Sequence, residues 1–215
     1  MDSGNLCADA INSSGDLRAA RRVLEAVIAQ LPAGRSKSAG TADWELRLLV
    51  LSRDFVGARK CAEDRPATHW RTEWNRPWTL GQIEGYLGSK EAAHKLLRQA
   101  RDLLNAALAK DAKEPQFHAV LADCDARLGL TEEALRDAQS AIDLEPGGKE
   151  RWISNLAYVN ALLGRTDDAV RVLQQLFAMP NTGDEISAWR LKLDPDWDQI
   201  RNDPRFQKFC ENKLK

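Results

Sequence analysis

Small residues recur along this chain where two helices would have to touch. Between Pro115 and Gly148, Ala122 is followed by Gly129, then by Ala134 and Ala141 seven positions apart, and Pro146 closes the stretch. Apolar side chains around them return every three or four residues, the period of an amphipathic helix, and Gly129 interrupts that period where the chain must reverse. The stretch reads as a 34-residue helix–turn–helix unit. A bulky side chain at Ala134 would hold its two helix backbones apart.

The unit recurs. Leu156, Ala157, Gly164, Ala169 and Leu173 stand 35 residues after Leu121, Ala122, Gly129, Ala134 and Ala138, and that unit ends at Pro180. Upstream, Leu80, Gly81, Gly88, Ala93, Leu97 and Ala100 take the same places in a hairpin that begins near Trp74. Its second helix meets no breaker from Lys90 to Ala112 and keeps Leu96, Leu97, Leu103, Leu104, Ala107 and Leu108 at helical spacing. Ala8, Gly15, Ala20, Leu24, Val27 and Pro32 fit the frame from the first residues. Residues 35–73 fit worst. There, Trp44 to Leu51 has helical spacing, Arg53 to Ala58 is a degenerate turn with Ala58 in the small position, and the second helix should stop ahead of Pro66. Gly34 to Gly40 would be the loop before this hairpin. Hairpins are therefore expected near 1–34, 39–66, 74–112, 115–148 and 149–180, with a closing segment over 181–215.

These positions resemble tetratricopeptide (TPR) repeats. The resemblance implies an all-α fold, a right-handed superhelical array of about five helix hairpins with a C-terminal helical cap. It also implies a protein that binds partners and is not an enzyme. Beyond the turn at Asn181-Thr182-Gly183, Asp194-Pro195 and Asp203-Pro204 each set a capping carboxylate before a proline suited to a first helical turn. Two short helices follow, one carrying Trp197 and Ile200, the other Phe206 and Phe209, with Lys208, Lys213 and Lys215 outward. Such an element would cover the exposed apolar face of the last hairpin. Leu193, Asp194, Pro195, Trp197, Asp198, Arg201, Asp203, Pro204, Arg205 and Phe206 match the tail that closes TPR arrays in bacterial serine/threonine kinases, adenylate cyclases and winged-helix regulators. Gln199 departs from that tail, which usually has proline there. The likeness implies the C-terminal module of a larger bacterial signalling protein. A fragment whose kinase or cyclase domain lies outside this chain, and a complete small TPR adaptor, are the alternatives.

Charge narrows the choice of partner. Lys plus Arg number 31 against 32 Asp plus Glu, so a nucleic acid or anionic membrane surface, which requires a basic face, is not expected. Residues 1–25 lack the basic start and apolar run of a secretory signal, and no apolar run approaches the roughly 20 residues of a bilayer span. A cytoplasmic setting is the expectation. Cys7, Cys61, Cys124 and Cys210 form no CxxC pair and read as buried helix residues or surface thiols.

No catalytic or cofactor chemistry is expected. Asp194, Asp196 and Asp198 imitate the start of a calcium loop, but Gln199 replaces its turn glycine and Arg205 its closing glutamate. His69, His94 and His118 have no zinc-ligand spacing, and GxxxxGK[ST], GxGxxG and GxSxG are absent. Trp70, Trp74 and Trp78, four apart, either fill an irregular joint or anchor a partner. In TPR arrays the first helix of each hairpin lines a concave groove. By frame, the residues there are Arg47, Trp78, Gln82, Tyr86, Asp123, Arg127, Arg151 and Tyr158. Arg127 and Tyr158 are expected to point away from the packed helix interface. Asn155 alone is reminiscent of the chaperone-tail clamp. The expected partner is a protein or peptide held in this groove.

Overall fold

The structure, a computed structural model, describes residues 11, 14–30, 38–179 and 186–211. Cys7, Ala8, Pro32, the start of the 34–40 loop, the Pro180–Gly183 turn, Lys213 and Lys215 lie outside the described residues. Among the described residues there are eleven α-helices and no strand. They are α1 (Leu17–Ala29), α2 (Ala39–Leu51), α3 (Phe55–Glu63), α4 (Asn75–Tyr86), α5 (Lys90–Leu108), α6 (Pro115–Leu128), α7 (Thr131–Leu144), α8 (Lys149–Leu162), α9 (Thr166–Phe177), α10 (Ala188–Leu193) and α11 (Pro204–Glu211). The protein is an all-α, TPR-like array: α2–α3, α4–α5, α6–α7 and α8–α9 pair as hairpins, and each hairpin packs on the next. None of the described helices is long and apolar enough to cross a membrane.

The turn glycine explains the reversals. Gly15, Gly88, Gly129 and Gly164 all have positive φ, between 65° and 79°, and each stands five residues ahead of the small alanine of the following helix. Only glycine adopts this left-handed backbone without cost. The irregular hairpin keeps the geometry without the residue: Arg53 occupies the equivalent place with φ 64°, a conformation that costs roughly 1–2 kcal/mol for a residue with a Cβ. Helix starts are fixed locally. Asp16 accepts from the Arg18 and Ala19 amides, Ser38 from Thr41, and Asp54 from Gly57.

The alanines of the frame are the contact points. Ala20, Ala58, Ala134 and Ala169 are wholly buried, as are Ala122 and Ala157 on the facing helices. Gly81 has the same task on α4, where a Cβ would stand 2.8 Å from Leu97 Cγ and 3.3 Å from the Leu97 amide nitrogen. At Gly85, one turn later on α4, a Cβ would meet nothing within 4 Å.

The C-terminal segment does more than cover the last hairpin. Ile186, Leu191, Trp197, Ile200 and Phe206 share a core with Ala157, Ala161, Leu173 and Leu176 of α8 and α9. Leu193 then packs against Ile11, against Ala20 and Leu24 of α1, and against Leu48 and Leu51 of α2, and a Cβ at Gly15 would run into the Trp189 ring. One segment thus touches both ends of the array.

The two glycines of α4 separate packing from propensity. Gly81→Ala should lower stability by about 1–3 kcal/mol through overpacking against Leu97. Gly85→Ala should raise it by about 0.5–1 kcal/mol, because the site is open and alanine is the better helix former. Urea unfolding of both variants checks the opposite signs.

Candidate functional site: the inner face and the segment that crosses it

Helical periodicity brings the frame-assigned residues together. Trp78, Gln82 and Tyr86 are successive fourth residues on one side of α4. Asp123 and Arg127 have the same spacing on α6, and Arg151, Asn155 and Tyr158 follow one side of α8. Arg47 joins them from α2. Arg47, Trp78, Gln82, Asp123, Arg151 and Tyr158 line one cleft of about 350 Å³ that also includes Asn155, Arg190 and Asp194. Tyr86 and Arg127 line a second cleft of about 540 Å³ with Gly85, His94, Asp196 and Asp198.

The chain's own residues 190–199 lie between these side chains. Asp196 Oδ1 accepts from the Arg127 guanidinium at 2.6 Å and from the Tyr86 hydroxyl at 2.6 Å. Arg127 also donates through Nε to Asp123 at 3.1 Å. The Asp123 carboxylate in turn accepts from Trp78 Nε1 at 2.6 Å and Gln82 Nε2 at 3.0 Å. Tyr86 stacks on Phe55 at 5.1 Å between ring centroids, and Tyr158 lies 4.3 Å from Trp197. Further along, Asp198 pairs with Arg53, and Gln199 donates to the Leu162 carbonyl at 3.0 Å.

Two expectations change accordingly. The Arg127 side chain is only 9% exposed, and the Tyr158 hydroxyl is buried. Neither points away from a packed interface, because the C-terminal segment itself is the surface they pack on. Truncating both would remove the support of Asp196 and Trp197 as well as two groove side chains. Sequence reasoning also missed Arg53, Arg190 and the inward role of Asp194 and Asp196. A signal for Arg53 was present: it is the non-glycine in the turn-glycine frame.

Burial shapes the electrostatics. Desolvation pulls the Arg127 pKa down, but Asp123 and Asp196 more than reverse this and leave it well above the ordinary arginine value. Burial raises Tyr86 strongly and Tyr158 as well. Arg47 is lowered, first by burial and then by the neighbouring Arg190. Asp194 is raised to about 6 by burial and by Asp196, with Arg47 and Arg190 opposing.

Other candidates resolve simply. The three aspartates do not converge as calcium ligands, since Asp196 turns to Arg127 and Tyr86 while Asp198 turns to Arg53 and Arg201. No group of His, Cys, Asp or Glu among the described residues could hold a metal. His118 bonds Asp137 at 2.8 Å. The tryptophans separate: Trp70 lies under the Arg65 guanidinium at 4.3 Å, Trp74 is buried against Phe117, and Trp78 reaches Asp123.

No family model matches this chain. It is 31% identical over 65 residues to a cyclopiane-type diterpene synthase of Penicillium chrysogenum, a match covering 30% of this chain and only 8% of that protein. Among solved structures, the nearly identical kinesin light chain TPR-like repeats of Podosopora anserina superpose with a TM-score of 0.45 at 16% identity, over 82% of this chain and 92% of that one. MamA gives 0.39 at 18%, over 83% and 94%. YrrB, a TPR protein with an unusual peptide-binding site, gives 0.37 at 16%, over 81% and 84%. Superpositions this loose add nothing to the site geometry.

Asp194 supplies a pH test. Its folded pKa of about 6 lies above its reference value of 3.8, so between those values the folded state holds a proton that the unfolded state has lost. Its contribution is therefore present at low pH and lost as pH rises through 6. Asp194→Asn keeps an acceptor for the Asp196 amide and carries no charge. It should melt at least about 2 °C above the native protein at pH 8, the shift that about 1 kcal/mol gives at this size, and show no gain at pH 4. Thermal melts at both pH values check this.

Proposed function

We propose that this chain is a non-catalytic interaction scaffold that holds an extended peptide, or a loop of a partner protein, against its inner face. The observation that carries this reading is that the face already holds a stretch of polypeptide, its own residues 194–199. It does so by side-chain recognition: an aspartate between an arginine and a tyrosine, and an indole on a second tyrosine. The cleft beside that segment, lined by Arg47, Trp78, Gln82, Asp123, Arg151 and Tyr158, offers the same residue types. Aromatic and arginine residues most often dominate interface energies. The sites for a partner are then Arg47, Trp78, Gln82, Arg151 and Tyr158, while Tyr86, Asp123 and Arg127 chiefly hold the internal segment. The match of Leu193 to Phe206 with the tails of bacterial signalling proteins supports a place in signalling and a cytoplasmic setting.

Selection of a displayed random heptapeptide library on the intact protein tests this. Enriched peptides should lose at least about 2 kcal/mol, roughly thirtyfold in Kd, on Arg47→Ala with Arg151→Ala, with helicity unchanged. No enrichment, or binding within about twofold in the double variant, would count against the inner face as the binding surface.

A further inference from the structure

The cleft between α2, α4, α6 and α8 is lined by three arginines, Arg47, Arg151 and Arg190, and three aspartates, Asp123, Asp194 and Asp196. Asp123 is committed to Trp78, Gln82 and Arg127, and Asp196 to Arg127 and Tyr86. Asp194 Oδ1 accepts from the Asp196 amide. Arg47, however, forms no ion pair or hydrogen bond among the described residues; its guanidinium lies 5.9 Å from the Trp44 ring centroid. Burial and the charge of Arg190 disfavour its cation more than nearby Asp194, Tyr158 and Asp196 favour it. Arg151, exposed at the rim over the Trp152 ring at 4.6 Å, adds another positive charge.

Two neutral groups in the same cleft are also unfinished. The Tyr158 hydroxyl and Asn155 Oδ1 are buried and have no hydrogen-bond partner. Asn155 Nδ2 donates to the Ala119 carbonyl at 3.4 Å, which fixes the amide plane and leaves Oδ1 as a waiting acceptor. Leaving such a group unpaired is costly, so a ligand that completes it gains on binding.

A ligand that satisfies both groups brings an anion for Arg47 and a hydrogen-bond donor for Asn155. Chloride or sulfate supplies the first and lacks the second. A peptide bearing a carboxylate supplies both. The molecule already shows the form of that recognition, because Arg127 and the Tyr86 hydroxyl jointly hold the side chain of Asp196. Arg47 and Tyr158 bring a guanidinium and a phenol to one cleft in the same way, with Asp194 as the carboxylate beside them.

We propose that this cleft recognises an aspartate or glutamate side chain within an extended peptide: Arg47 takes the carboxylate, Tyr158 donates to it, and Asn155 accepts from the adjacent backbone N–H. The inference rests on the inner face being the binding surface, and it names what that surface reads.

The test uses heptapeptides enriched on the intact protein, made N-acetylated, C-amidated and fluorescein-labelled, with Kd read by anisotropy. Replacing one acidic residue by alanine should weaken binding at least tenfold to native protein and less than twofold to Arg47→Gln; Arg47→Lys should keep the acid preference. Tyr158→Phe removes a hydroxyl that has no partner in the free protein, so it should fold normally and bind at least threefold more weakly. If no peptide is enriched, the inner-face reading and this proposal fail together. Enriched peptides indifferent to their acidic residues overturn the proposal alone. So do an acid preference that survives intact in Arg47→Gln, a free C-terminal carboxylate that replaces the side chain without loss, and unchanged binding to Tyr158→Phe.

Discussion

A buried charge has to be answered inside a helical array, and Arg127 is where this one answers it. Its guanidinium joins Asp123 on its own helix to Asp196 of the C-terminal segment. Desolvating those charges is costly, and their attraction recovers the cost only while all members remain in place. Tyr86, Trp78 and Gln82 complete the remaining acceptor sites. The network thus ties α4 and α6 to residues 190–199. Together with Leu193 on α1 and α2 and Trp197 in the last core, it makes the segment a strut across the array. Repeat arrays ordinarily gain stability only from neighbour to neighbour. Here, contacts between distant repeats are added.

The degenerate hairpin also meets that strut. Arg53 accepts a left-handed backbone that glycine would adopt freely, and its side chain reaches Asp198. The pair is about half exposed and contributes little by itself, so it does not offset the backbone strain at Arg53. Gly15 shows the complementary constraint at the other end, where the Trp189 ring leaves no room for a Cβ.

The helical fold class was legible because it depends on short-range rules. The small residue at Ala20, Ala93, Ala134 or Ala169 and the glycine five positions earlier follow from helix contact and chain reversal, both local in sequence. Inward-facing positions on α4, α6 and α8 follow from the same periodicity. The path of residues 186–200 was not legible, because nothing local specifies that Asp196 meets a helix 69 residues away in sequence. The aromatics of the tail signalled burial, but not against what. Periodicity therefore has Arg127 and Tyr158 pointing away from the packed helix interface, whereas the surface that covers them comes from the same chain. The turn-frame mismatch at Arg53 was the available clue.

The strut can be weighed directly by a double-mutant cycle on Arg127 and Asp196 in urea unfolding, using Arg127→Met and Asp196→Asn. If the buried pair holds the segment to the inner face, each single variant should lose roughly 3 kcal/mol or more, the usual penalty for stranding a buried charge. The double variant should then recover part of the loss, with a coupling of at least about 1.5 kcal/mol. Additive losses, with a coupling below about 0.5 kcal/mol, would mean that Asp196 does not rest on Arg127 in solution and that the segment does not cross the inner face.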